Sequence, residues 1–182
     1  MALDKNVIDR TDFEVLQPAI DYYQNHGTAT DKLRTHYYEG RIYQNAGQGD
    51  LAMKSFIKAR EVEGPITDTL TLGNLLVAQA TYYYSTYKVK EFIANNQQAA
   101  RLYEAIGHSY YQFRSLLNTL DGSILNNDKP LADSILTCCR SEIEKHPDYE
   151  ASLLSYILSY TITFGSDEEI RTAIESCLDK KN

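Results

Sequence analysis

The sequence predicts an all-α chain built from successive antiparallel helix pairs, and three observations carry this reading. Apolar residues follow the 3.6-residue period throughout, and no stretch alternates convincingly with period two. Breakers at Gly27, Gly47, Gly64-Pro65, Gly107 and Gly165 separate the periodic segments. The run from Gly40 to Ala59 places small residues and rings at the spacings that two closely crossing helices need around a tight turn. There, Gly40 is small where a partner helix approaches, Tyr43 lies one turn further along the same face, and Gly47 ends the first helix. Ala52, Phe56 and Ala59 then recur at i, i+4 and i+7 on the second helix.

Taken in order, a first helix is expected from about Thr11 to His26, opened by the capping-box pattern Thr11-Asp12-Phe13-Glu14. Pro18 removes one backbone hydrogen bond there, so the segment either kinks or starts late. It reads as the second helix of a pair whose first helix is missing. The clearest pair spans residues 31–63, with helices from about Asp31 to Ala46 and Asp50 to Glu61. A second pair spans 69–106, from Thr69 to Tyr87 and from about Lys90 to Ile106, with Leu76, Ala80 and Tyr83 in the places of His36, Gly40 and Tyr43. The third, 109–145, turns at Asn126-Asn127-Asp128 and resumes at Pro130, a residue suited to a first helical turn. The fourth, 149–178, runs from Tyr149 to Phe164 and Asp167 to Leu178, with Ser166 and Glu169 at capping-box spacing. After the first pair the repeat period is about 38 to 40 residues, which aligns Ala59 with Ala99, Cys139 and Cys177 and assigns those two thiols to packing.

The Gly40–Ala59 run resembles the tetratricopeptide repeat (TPR) family, whose unit of about 34 residues stacks because one copy cannot bury its own apolar face. Small residue, tyrosine, glycine, alanine, phenylalanine and alanine are all in place. Other pairs match in part: the third has Leu120 where a small residue is usual, and the fourth has Ile170 in place of alanine. The resemblance implies a right-handed TPR-like superhelix of antiparallel helix pairs over the whole chain, read as a single domain. The wording from Leu16 to Gly27 and from His36 to Tyr43 is similar to the arrays of bacterial TPR regulators and lipoproteins. That similarity implies a sensory or interaction part of a larger regulator, a soluble segment on the cytoplasmic or periplasmic side of a membrane-attached parent.

In TPR arrays the first helices of successive pairs line a concave face that binds a protein or peptide. Carried onto this chain, that face comprises Arg34, Tyr37, Arg41, Gln44 and Asn45, then Asn74, Thr81 and Tyr84, then Arg114 with Asp121. Arginine forks and tyrosine hydroxyls suit a peptide carboxylate or acidic side chain. Ordinary solvated helix positions explain the same residues equally well. Chaperone-binding members use lysine and asparagine where this chain has Tyr37 and Arg41, which argues against chaperone tails. In the stretch Tyr82-Tyr83-Tyr84-Ser85-Thr86-Tyr87, Tyr83 fits a core position, whereas Tyr84 and Tyr87 either line the groove or pack on the next repeat. The alternative reading is a structural module that pairs through open ends of the array, including as a homodimer.

Composition excludes other classes. The 182 residues carry a formal charge of −7, so phosphate contacts would meet a repulsive field, which argues against direct nucleic-acid binding. There is no apolar run long enough to span a bilayer, and the first six residues lack the regions of a signal peptide. Cys138, Cys139 and Cys177 have no metal or redox spacing. His26, His36, His108 and His146 have no histidine or cysteine at i+3 or i+4, so no metal is expected. Neither a nucleophile elbow nor a phosphate loop is present, and acidic pairs such as Glu142 with Glu144 have surface explanations. The reading is therefore a binding protein that needs no cofactor and carries out no catalysis.

Overall fold

The computed structural model describes residues 16–179, with side-chain surroundings through residue 175. The Thr11–Glu14 cap and the Cys177 side chain lie outside these. Among the described residues the chain is all-helical, with nine α-helices: α1 Gln17–His26, α2 Ala29–Asn45, α3 Gly49–Arg60, α4 Thr69–Ser85, α5 Val89–Ala105, α6 Ser109–Leu125, α7 Lys129–Lys145, α8 Glu150–Phe164 and α9 Asp167–Asp179. Each packs against its neighbours in sequence, and α5 lies between α4 and α6.

Local chemistry explains where these helices begin. Pro18 falls in the first turn of α1, where its missing N–H is no loss. The start of α2 is two residues earlier than the sequence reading placed it, because Thr28 and Asp31 cap each other. The Thr28 hydroxyl accepts from the Asp31 amide at 3.2 Å, and the Asp31 carboxylate accepts from the Thr28 amide at 3.1 Å. Asp68 and Asp128 accept from the amides three residues on, at 2.9 and 3.2 Å, and so start α4 and α7. Before α9 the Glu169 carboxylate accepts from the Ser166 amide at 2.7 Å, as the capping-box spacing there predicts.

Helix ends reuse one turn four times. The backbone amides of Gln48, Lys88, His108 and Asp128 donate to the carbonyls of Tyr43, Tyr83, Tyr103 and Ser123 at 2.8, 2.8, 2.8 and 2.9 Å. In between, Gly47, Tyr87, Gly107 and Asn127 take the left-handed conformation, with φ of 72°, 57°, 70° and 53°. This closure satisfies carbonyls that a helix end would otherwise leave unpaired. Because helix and turn lengths repeat, α2, α4 and α6 begin at residues 29, 69 and 109, and α3, α5 and α7 at 49, 89 and 129. The 40-residue period therefore includes the first pair. There the loop from residue 61 to 68 makes up the length, held by Thr30 Oγ1 3.1 Å from the Thr67 amide and by Arg34 Nε 2.5 Å from Asp68.

Within and between pairs, missing or small side chains admit large ones. A Cβ on Gly40 would lie 2.3 Å from the Phe56 ring, one on Gly73 2.7 Å from Tyr103, and one on Gly122 2.6 Å from Ile93. One apolar cluster joins Leu33, Tyr37, Ala52 and Phe56, and another joins Phe113, Leu120, Ala132, Cys139 and Leu153. Ala59, Ala99 and Cys139 are all buried, as their common register predicts. Burial pushes the Cys139 thiol up to about 12, so it stays protonated, whereas Cys138 is exposed. Packing thins towards α8, where Leu153 is buried but Leu154 and Ile162 are about half exposed.

Two stability measurements follow. Chemical denaturation of Phe56→Ala should register a loss of about 3–5 kcal/mol, since a fully buried ring leaves a cavity. Gly40→Ala, which forces a methyl into the same ring, should lose about 1–3 kcal/mol. By contrast, Tyr87 is 90% exposed in a left-handed turn, so its side chain contributes little packing against its backbone strain. Tyr87→Gly should raise the denaturation midpoint, by about 1 kcal/mol of stability.

Candidate functional site

The 40-residue register places Arg34, Asn74 and Arg114 at one position of α2, α4 and α6, and it places Arg41 two turns after Arg34. These helices, with Tyr103 reaching in from α5, surround a cavity of about 170 Å³. Its lining is Tyr37, Arg41, Asn74, Val77, Tyr103, Tyr111, Arg114, Ser115 and Asn118. No carboxylate belongs to that lining, although the chain has 25 acidic residues.

Each polar group is held in place by its neighbours. Tyr37 is buried with its ring beside that of Phe56, and its hydroxyl accepts from Arg41 Nη1 at 3.3 Å. Arg41 Nε is buried and has no hydrogen-bond partner. The Tyr103 hydroxyl donates to Asn74 Oδ1 at 2.7 Å, and its ring lies 5.4 Å from that of Tyr111. Asn118 Nδ2 donates to Asn96 Oδ1 at 3.0 Å, and Asn96 in turn donates to the Phe92 carbonyl inside α5. Arg114 Nη1 donates to the Tyr110 hydroxyl at 3.4 Å, with the guanidinium 5.9 Å from that ring centre. Neither Arg41 nor Arg114 forms an ion pair among the described residues.

The electrostatics favour one kind of guest. Burial raises the pKa of Tyr37 and, more strongly, of Tyr103, where nearby Tyr37 and Tyr111 add to it. Both phenols therefore remain neutral donors, while the guanidiniums stay charged. Two fixed cations, neutral hydroxyls and amides can hold an anion, but they supply no group that titrates near neutrality to move a proton. Asp121 lies two turns beyond Arg114 on α6, half-buried, and burial raises its pKa.

Of the residues anticipated from sequence, Tyr37, Arg41, Asn74 and Arg114 meet at this cavity. The other six, Asp121 among them, lie outside it. Arg34 is engaged by Asp68, and Gln44 Nε2 donates to the Ala78 carbonyl at 3.2 Å. Asn45 is exposed in the last turn of α2, and Thr81 Oγ1 donates to the Val77 carbonyl within its own helix. Tyr84 packs beside Phe92, with ring centres 5.1 Å apart. Tyr87 sits in the α4–α5 turn. The sequence reading missed Tyr103, Tyr111, Ser115 and Asn118. Tyr111 and Asn118 were accessible in principle, since they lie at i−3 and i+4 from Arg114 and share its helix face. Tyr103 was not, because it enters from the other helix of its pair through the gap left by Gly73.

Elsewhere, no group of three or more metal-ligating side chains occurs among the described residues, and no helix there is long and apolar enough to cross a membrane. Comparison with protein-family models, with curated proteins and with solved structures finds no match to this chain.

The half-buried Asp121 gives a signed pH test. A carboxyl whose pKa is raised on folding weakens the folded state when ionised, and this penalty disappears as pH falls through its folded pKa towards the ordinary 3.8. Asp121→Asn should therefore stabilise the chain at pH 7 in thermal denaturation, with the difference from wild type closing as pH approaches 3.8.

Proposed function

We propose that the chain is a tetratricopeptide-like scaffold, a right-handed superhelix of antiparallel helix pairs, that binds a protein partner through a peptide segment lying across α2, α4 and α6. The observation that carries this reading is the cavity at which these helices meet, with two arginines that form no ion pair among the described residues and no carboxylate in its lining. A helix-repeat face of this type presents side chains from several pairs to an extended ligand, and its charge selects acidic side chains or a terminal carboxylate. The buried, unpartnered Arg41 Nε supports an occupant with an acceptor, since a buried donor without a partner costs free energy until one arrives. Binding here requires no cofactor and no reaction.

Service within a larger bacterial regulator is supported by the sequence resemblance around Leu16–Gly27 and His36–Tyr43. The second reading, self-assembly through an open end, has its own observation. Leu154 and Ile162 on α8, with Ile174 on α9, expose about half of their surface at the last pair. Such apolar surface favours association with another helix pair.

The direct test is selection of binders from a random peptide library against the intact chain, followed by titration of the selected peptides. Arg41→Gln and Arg114→Gln should each weaken the acidic binders by about tenfold, the effect of losing one charge-assisted hydrogen bond. Arg41→Lys should not restore affinity, because a lysine lacks the planar fork. Peptide binding that is indifferent to both arginines would refute the assignment of this face.

A further inference from the structure

Arg114 and Asn118 line two cavities. Besides the one described above, they border a second of about 220 Å³ between α6 and α8, which is lined also by Tyr110, Phe113, Leu117, Tyr149, Ser152 and Tyr156. Four of its eight lining residues are rings. Tyr149 stacks on Phe113 with centres 4.8 Å apart and meets Tyr110 edge-on at 6.1 Å. An apolar cavity of about 150 Å³ accommodates a benzene molecule, so this one has room for a single aromatic or large aliphatic side chain. Its rim is open, since Tyr110 is half exposed and Ser152 is exposed. The two cavities thus adjoin at Arg114 and Asn118 on α6, the first holding both arginines and the second Arg114 alone.

We infer that the two cavities form one composite recognition site for an extended peptide, with an acidic side chain between Arg41 and Arg114 and an aromatic or large aliphatic side chain in the ring-lined cavity. This rests on the peptide-binding reading and adds the ligand's second determinant. Charge complementarity selects the occupant: the arginines have no acidic partner among the described residues of a chain of net charge −7, so the first group is an anion. The second cavity has no acidic residue in its lining and shares only Arg114 as a charge, so a neutral ring suits it. The cavities adjoin at Arg114 and Asn118, so their occupants come from neighbouring positions of one peptide, and side chains two apart on an extended strand face the same way roughly 7 Å from each other. Tyr and Arg, which line both cavities, are among the residue types that dominate binding energy at interfaces.

The experiment uses the intact chain and a fluorescein-labelled peptide carrying one Glu and one Phe two positions later in a Gly-Ser background. Fluorescence anisotropy should report saturable binding that weakens about tenfold when the peptide's Phe becomes Ala, and to a similar extent when its Glu becomes Gln. In the protein, Ser152→Phe fills the ring-lined cavity from an exposed position, and it should abolish the preference for Phe over Ala while leaving the preference for Glu over Gln. Tyr156→Ser, which enlarges the cavity, should reduce the Phe preference in the same assay, and circular dichroism melts report whether each variant is folded. If binding depends on Arg41 and on the peptide's Glu but ignores the Phe and Ser152→Phe, the composite site is overturned while the anion-binding face stands. If this peptide shows no saturable binding, the composite site is overturned outright.

Discussion

A Cβ at residue 40 would lie 2.3 Å from the Phe56 ring, so α2 and α3 stand as close as they do because nothing occupies that place. The same exchange of a missing side chain for a large one recurs at Gly73 against Tyr103 and at Gly122 against Ile93 and Phe92. These three contacts involve α2 with α3, α4 with α5, and α5 with α6, so they set the helix spacing through most of the chain. Close packing makes the interior intolerant of added or removed volume, and the cavities are consequences of that spacing. Tyr103 illustrates the link: its ring fills the gap at Gly73, and its hydroxyl emerges to hold Asn74 at the edge of the arginine-lined cavity.

Repetition then turns one packing solution into a surface. The same six-residue closure ends α2, α4, α5 and α6, whether the left-handed residue is glycine, tyrosine or asparagine. Equal helix and turn lengths bring residues 40 positions apart to equivalent places, which is why Asn74 and Arg114 face the same cavity. Arg34 shares their register but not their role, because the long loop before α4 brings Asp68 beside it. A repeat architecture places side chains in rows, and local ion pairs decide which members of a row remain open to a ligand.

Much of this was legible in the sequence, and the parts that were not have physical causes. Helix periodicity and the Gly40–Ala59 run indicated an all-helical chain of pairs, and helix ends fall within a few residues of expectation. The start of α2 was misplaced because Asp31 serves as the third-position acceptor where Glu or Gln is the usual signal. Tyr87 was read as a groove or packing residue because tyrosine gives no hint of a left-handed turn, yet the backbone bond from Lys88 to Tyr83 requires one. At the cavity, Arg41, Asn74 and Arg114 were named only through the groove positions that the tetratricopeptide resemblance implies. The ring-lined cavity was not foreseen, because it needs Tyr149 from the 3-10 turn Pro147–Tyr149 and Tyr156 from α8 to meet α6.

The central claim is that Arg41 and Arg114 together receive an anionic group, and their own Nε–H resonances test it most directly. Side-chain nitrogen–proton spectra of the intact chain would be recorded while titrating an acidic peptide selected for binding. The account predicts that the Nε–H signals of Arg41 and Arg114 shift in parallel with binding and that Arg41 Nε–H gains protection from solvent exchange. Signals of Arg34, Arg60 and Arg140, which lie outside the cavity lining, should stay in place. Saturable peptide binding with Arg41 and Arg114 unmoved, or with Arg34 moving in their stead, would contradict it.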